Sequence, residues 1–361
     1  MNAISKRLAA LLTSLLLVFT LTACTTDVTY ITQYNDIKVP TGVYVSGLLR
    51  ALNQAAQSIP SNSTDPWAET LEDKPLEQWV SDEAHDTVRL YVAVHQMAQE
   101  QGVTLSEEDT ESVASLANLM TQYYAYYANN DVTQADLEAF IGNQFLLESL
   151  FGKRYGVGGD REISADEVER YYLDHYIRMR TLTFSKYGSD GNLLEGDALK
   201  DYEELVQAYL DAAQKNPDQM DALIQKYNAY YTSISQGIDD ENAQNPLPTA
   251  DSLEGNGTPE NKQELLDRNN QGSYPAELLE MIAELPYGEP TLLEFQGTDL
   301  IAVNYELSAE DEELAQNDDM IRFMLKGEEF TQELTELGAS YNLAFNGAAT
   351  RKYTPKTLKF E

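Results

Sequence analysis

The side chains that usually carry chemistry are few in this sequence and stand apart. Its three histidines, His85, His95 and His175, all fall on segments with helical periodicity. No pair is spaced i,i+4 and no H-E-x-x-H occurs, so nothing points to a zinc site. Each reads as a partly buried or surface helical residue. Cys24 is the one cysteine, which excludes an intrachain disulfide and any cysteine-based metal centre. A G-x-S-x-G elbow, a Walker loop and a dinucleotide fingerprint are all missing, and no cofactor is implied. Among 60 acidic residues, choosing two as a glycosidase pair is arbitrary. The aromatic excess is more informative, with 23 tyrosines. Tyr123, Tyr124, Tyr126 and Tyr127 cluster, as do Tyr227, Tyr230 and Tyr231. Such phenols can bury their rings in helix packing and leave their hydroxyls wet. They can equally line a crevice for unfolded polypeptide, where adaptable apolar surface binds many sequences weakly.

The first residues read as a secretory signal. Lys6 and Arg7 precede an apolar run from Leu8 to Leu21, shorter than the ~20 residues of a membrane span. The run closes on Leu21-Thr22-Ala23-Cys24. That tetrapeptide resembles the bacterial lipobox, which implies cleavage before Cys24 and a diacylglyceryl thioether on its sulfur. Ordinary secretion with an incidental cysteine is the alternative. Loss of Lys6 and Arg7 with the signal takes the formal charge from −36 to −38. A body so acidic repels phosphate backbones and anionic headgroups, so nucleic acid is not an expected partner. On this reading the membrane is reached through the acyl anchor alone.

Residues 25–40 are polar and read as a tether. Helices are expected from Gly42 to Ile59 and from Pro75 to Gln101, the second closed by Gly102. Ser106 with Asp109, and Thr133 with Asp136, mark two further helix starts. Gly156–Gly159 reads as a hinge. Ser164 and Glu167 then form a capping box, followed by a strand over Ile177–Phe184 and helices from about Ala198 to Ala213 and Asp218 to Tyr227. The 238–272 stretch is poor in apolar residues and reads as a surface insertion with a short helix around Lys262–Asp267. Leu278, Leu279, Ile282 and Leu285 give a helix one apolar face. Pro286, Gly288 and Pro290 stop it, and Thr291–Phe295 and Leu300–Tyr305 form a hairpin. A long helix from about Ala309 to Leu337 is expected to end at Gly338. Asn342–Phe345 and Thr350–Leu358 then read as a last hairpin or a sheet edge. Repeated βα units are lacking, which argues against a solute-binding protein.

The turn L-P-Y-G-E at 285–289 and the strand G-T-D-L-I-A-V at 297–303 resemble the second half of a parvulin-type peptidyl-prolyl isomerase domain. ISADEVERYYLDHYIRMRTLTF at 163–184 resembles its linker helix and first strand. QGVTLSEEDTESV and NDVTQADLEAFI, starting at 101 and 130, resemble the helical region of extracytoplasmic foldases of the PrsA and SurA type. The resemblance implies an α+β protein with a signal at 1–23 and a helical chaperone-like domain at 24–159. A divergent parvulin-like domain follows at 160–307, and a C-terminal segment at 308–361 returns to pack on the N-terminal helices. It implies a foldase or holdase on the outer face of the bacterial cytoplasmic membrane, with unfolded secreted polypeptides as clients and room for a homodimer. A parvulin crevice is apolar and flanked by two histidines, and here those positions fall on Thr181 and Asp299. The apolar wall falls on Tyr274 and Leu278. Without imidazoles, isomerase activity is expected to be weak or lost. The other reading is a surface lipoprotein that binds one fixed protein partner or a glycan.

Overall fold

A computed structural model describes residues 27–60, 63–188, 191–236, 246–249, 263–268 and 274–360. Cys24 and most of the 238–272 segment lie outside the described residues. The chain is α+β and divides into two units. One runs to Ile163 and takes in Arg322–Glu361, and the other is Ser164–Ile321.

In the first unit the supposed tether is a hairpin. Strands β1 (Tyr30–Tyr34) and β2 (Ile37–Pro40) pair antiparallel around Asn35, whose φ of 51° makes the turn. Ile37 and Val39 are buried on either side of exposed Lys38, as alternation on a half-covered ribbon requires, while Ile31 and Thr32 are both buried at an irregularity in the pairing. Helix α1 (Thr41–Ser58) follows, then two-residue strands β3 (Thr70–Leu71) and β4 (Lys74–Pro75). Helix α2 (Leu76–Gln101) ends where Gly102 turns left-handed at φ 65° and its N–H closes on the last carbonyls. Helices α3 (Glu107–Tyr123), α4 (Ala125–Asn129) and α5 (Gln134–Tyr155) complete this run. Both expected capping boxes are made, Ser106 with Asp109 and Thr133 with Asp136. Val43, Leu48, Trp79, Val88 and Leu137 share one core across these helices.

The second unit begins with the Ser164–Glu167 capping box of α6 (Ala165–His175). Strand β5 (Tyr176–Ser185), α7 (Gly196–Lys215) and α8 (Met220–Gln236) follow. Next come β6 (Glu264–Asp267), α9 (Ala276–Ala283), β7 (Thr291–Phe295) and β8 (Thr298–Tyr305). The sheet has the order β6-β5-β8-β7 with every neighbour antiparallel. β5 and β8 pair from Arg178 opposite Tyr305 to Ser185 opposite Thr298. Strand alternation then makes two cores. Leu182, Phe184, Ile301 and Val303 pack under Val206, Tyr209 and Leu223. Ile177, Met179, Leu300 and Ala302 pack under Leu278, Leu279 and Ile282 of α9.

Residues Glu264–Asp267 form a strand on β5 where a helix was expected. A single turn cannot repay helix nucleation, whereas the open edge of β5 offers ready-made partners. The insertion therefore supplies part of the sheet.

Helix α10 (Glu312–Ser340) runs past Gly338, which was expected to stop it. This glycine is a contact, since a Cβ built there would fall on the Arg89 carbonyl. The expected last hairpin is absent among the described residues. Asn346 caps helix α11 (Gly347–Lys352), and Pro355–Thr357 makes a 3-10 turn. Asn130 exchanges hydrogen bonds with the Lys359 backbone at 2.7 and 2.9 Å, and Tyr341 stacks on Tyr34 at 4.5 Å. The Ala344 carbonyl accepts from the Thr32 hydroxyl at 2.9 Å and the Asn346 N–H donates to the Ile31 carbonyl at 2.7 Å, so backbone in and beside the expected first strand is bonded to β1.

Candidate functional site

Thr181 lies mid-strand on β5, opposite Ala302, on the face covered by α9. Pro275 starts α9 and places Tyr274 just ahead of it. The Tyr274 hydroxyl is 3.4 Å from Thr181 Oγ1 and donates to Glu264 Oε2 at 3.1 Å. Burial pushes the Tyr274 phenol above its usual range, so the pair is neutral. Leu278 is buried in the same cluster.

Asp299 is not part of this group. It pairs with Phe184 and so projects to the opposite face of the sheet. There its Oδ2 accepts from Tyr202 at 3.1 Å and its Oδ1 lies 3.0 Å from Lys186 Nζ. The structure thus brings together Thr181, Tyr274 and Leu278 and separates Asp299 from them. Reading a strand one residue out of phase is enough to exchange its faces. On Thr181's own face the β8 neighbours are Leu300 and Ala302. Of the histidines, His175 lies at the end of α6 against Tyr171, with ring centres 4.3 Å apart.

A polar chain that sequence reading missed runs around the end of β6. Arg180 donates to buried Asp221 at 2.6 Å and to Glu264 at 2.9 Å, and Glu264 holds Tyr274. Glu264 had been placed in a helix, which hid its proximity to Arg180. The chain fixes a short edge strand and one tyrosine. It offers no neutral base with the reach of an imidazole.

Among the described residues the helical unit carries apolar grooves. One encloses about 590 Å³ between Leu52, Ile59, Trp67, Tyr124, Tyr126 and Phe360. The helical run breaks at Tyr124, which separates α3 from α4 with φ −124° and ψ 85°. Tyr124 is 47% exposed and Phe360 57%. A second groove of about 570 Å³ is lined by Tyr91, His95, Leu105, Gly142 and Leu146. Burial pushes His95 down to about 4, and its ring stacks on Tyr91 at 4.1 Å, so the imidazole is uncharged at neutral pH, and Glu138 is the one acidic side chain lining this groove. A third, of about 340 Å³, lies between Val43, Leu90, Leu116, Phe140 and Phe145.

Both readings of the tyrosines have instances here. Tyr127 is buried, and Tyr227 packs edge-on to Phe184 at 4.6 Å. Tyr124 and Tyr126 line the groove.

No family model matches the chain, and no curated protein does. Solved structures similar to it include foldase protein PrsA from Streptococcus pneumoniae. That likeness has a TM-score of 0.37 at 12% identity, over 80% of this chain and 98% of the other. PrsA from Bacillus subtilis is similar with a TM-score of 0.32 at 12% identity, over 74% of this chain and 86% of that one. Likenesses at this level assign neither family nor activity.

Proposed function

We propose that the protein is a lipid-anchored holdase on the outer face of the bacterial cytoplasmic membrane, with little or no isomerase activity. Its grooves would hold apolar segments of unfolded secreted polypeptides. The observation that carries this reading is the 590 Å³ groove with its half-exposed aromatic wall. Leaving Tyr124 and Phe360 in water forgoes burial worth about 25 cal/mol per Å² of apolar surface, which a binding surface recovers when occupied. Aromatic walls grip many apolar side chains with little geometric demand, as a client range requires. The acidic body favours neutral or basic client segments and stays soluble while loaded.

Isomerisation breaks no bond and needs only a dry site that favours the twisted amide. Thr181 and Tyr274 offer two neutral hydroxyls, and Asp299 stands on the other side of the sheet. Holding apolar segments does not call on that crevice.

The wild-type protein should delay aggregation of several unrelated denaturant-unfolded proteins, measured by light scattering, at near-stoichiometric amounts. Prolyl isomerisation of a test peptide should stay at the uncatalysed tens to hundreds of seconds. Protection of no client, or a clear acceleration of isomerisation, would overturn the reading.

A further inference from the structure

We propose that the C-terminal segment Leu337–Phe360 is a cationic face that docks on anionic lipid headgroups beside the anchor. The inference rests on the lipoprotein reading of Cys24. Across the chain roughly one residue in six is acidic, yet Leu337–Phe360 contains no Asp or Glu and carries Arg351, Lys352, Lys356 and Lys359. Ile37–Ile59 is likewise free of acids and holds Lys38 and Arg50. The net charge of −36 therefore conceals a strong segregation, and the two acid-free segments belong to the same unit.

Geometry ties this segment to the anchor. The Asn346 side chain donates to the carbonyls of Asp27 at 2.6 Å and Tyr30 at 3.0 Å, and its backbone N–H donates to Ile31 at 2.7 Å. Asp27 follows Cys24 by three positions, a span of at most about 10 Å even when fully extended. The cations that follow Asn346 thus begin where the anchor must begin.

Lys352 meets Asp131 at 2.9 Å and Lys356 meets Glu77 at 2.7 Å, each ammonium side chain about half exposed. Exposed pairs of this kind are weak and can be exchanged for a phosphate. Arg351 and Lys359 are exposed and have no ion pair among the described residues. Neighbouring carboxylates include Asp27, Glu77, Asp131 and, beside Tyr341, Glu100. An anionic leaflet attracts clustered Lys and Arg within a Debye length and repels the acidic remainder, so the contact would also orient the protein.

The test uses the full chain with Cys24→Ser, which removes the acyl chains, and vesicle flotation at low and high salt. Vesicles of phosphatidylcholine are compared with vesicles containing 30% phosphatidylglycerol. The neutral vesicles read whatever binding the apolar run of 8–21 contributes, and the anionic increment reads the cationic face. Replacing Arg351, Lys352, Lys356 and Lys359 by glutamine should reduce the anionic increment at least about tenfold, with an unchanged circular-dichroism melt. The same charge change at exposed Lys153, Arg170, Lys200 and Lys215 should leave most of it. High salt should abolish it. No increment over phosphatidylcholine, or equal losses in the two quadruple variants, would overturn the proposal. Whether Cys24 of the wild-type protein carries lipid is read separately, from the mass of its N-terminal peptide. A failed anchor and a failed docking face are therefore distinguishable.

Discussion

Asp299→Ala and Thr181→Val, singly and together, ask whether the two residues belong to one site. Asp299 is 8% exposed and accepts from Tyr202 while pairing with Lys186. Removing its carboxylate does not orphan either partner. Tyr202 still donates to the Phe184 carbonyl at 3.2 Å, and Lys186 keeps Glu294 at 3.0 Å. The cost should therefore fall near the low end for a buried charged hydrogen bond, about 1–2 kcal/mol. For a unit of this size that lowers the melting midpoint by roughly 2–8 °C. Thr181→Val loses only a 3.4 Å contact to a tyrosine that retains Glu264, so the change should stay within about 0.5 kcal/mol. Because the side chains lie on opposite faces of the sheet, the double variant should sum the singles to within ~0.5 kcal/mol. Urea unfolding followed by circular dichroism reads all four forms. A coupling energy above 1 kcal/mol, or an Asp299→Ala protein as stable as its parent, would refute this placement of the two residues.

Two helical glycines should respond in opposite directions. Gly152→Ala meets no atom within 4 Å and should stabilise by about 0.5–1 kcal/mol. Gly338→Ala drives its methyl onto the Arg89 carbonyl, and an overpacking cost of about 1–3 kcal/mol should outweigh the propensity gain. Thermal melts of the pair check this, and a Gly338→Ala protein that melts higher than its parent would contradict the close crossing. For pH, burial holds His95 at about 4 when folded, against about 6.5 when unfolded. The unfolded chain therefore takes up the proton first, so stability is complete above pH 6.5 and declines as pH falls toward 4. His85 is shifted the same way by its burial, and then by Arg89. Chemical-denaturation midpoints measured from pH 7.5 to 4.5 should flatten in His95→Gln, and an unchanged slope would remove His95 from the account.

Local signals were legible where they were self-contained. Each capping box sits where its Ser or Thr and its acid specify, and Gly102 ends its helix by the left-handed turn that only a missing Cβ makes easy. The hairpin of Thr291–Phe295 and Leu300–Tyr305 was legible from its turn, whereas the burial of both faces of β8, Ile301 and Val303 on one and Leu300 and Ala302 on the other, was not. Signals that depend on a distant partner were not legible. Glu264–Asp267 is a strand only because β5 has a free edge, and Gly338 is small because Arg89 crosses it. Asp299 was assigned to the crevice by counting along a resembling motif, and alternation with period two makes such counting unforgiving. The tyrosines could not be sorted in advance, since packing and groove lining call for the same ring.

The central claim is that the groove of the helical unit holds unfolded polypeptide. Ala56 is exposed at its wall, so Ala56→Trp fills the groove without entering the core. The decisive measurement is light scattering of an aggregating client in the presence of this variant, with a thermal melt as control. The account expects a folded protein of parental stability that has lost most of its protection, and a matching loss for Tyr124→Ala combined with Phe360→Ala. An Ala56→Trp protein that protects as well as its parent would contradict it.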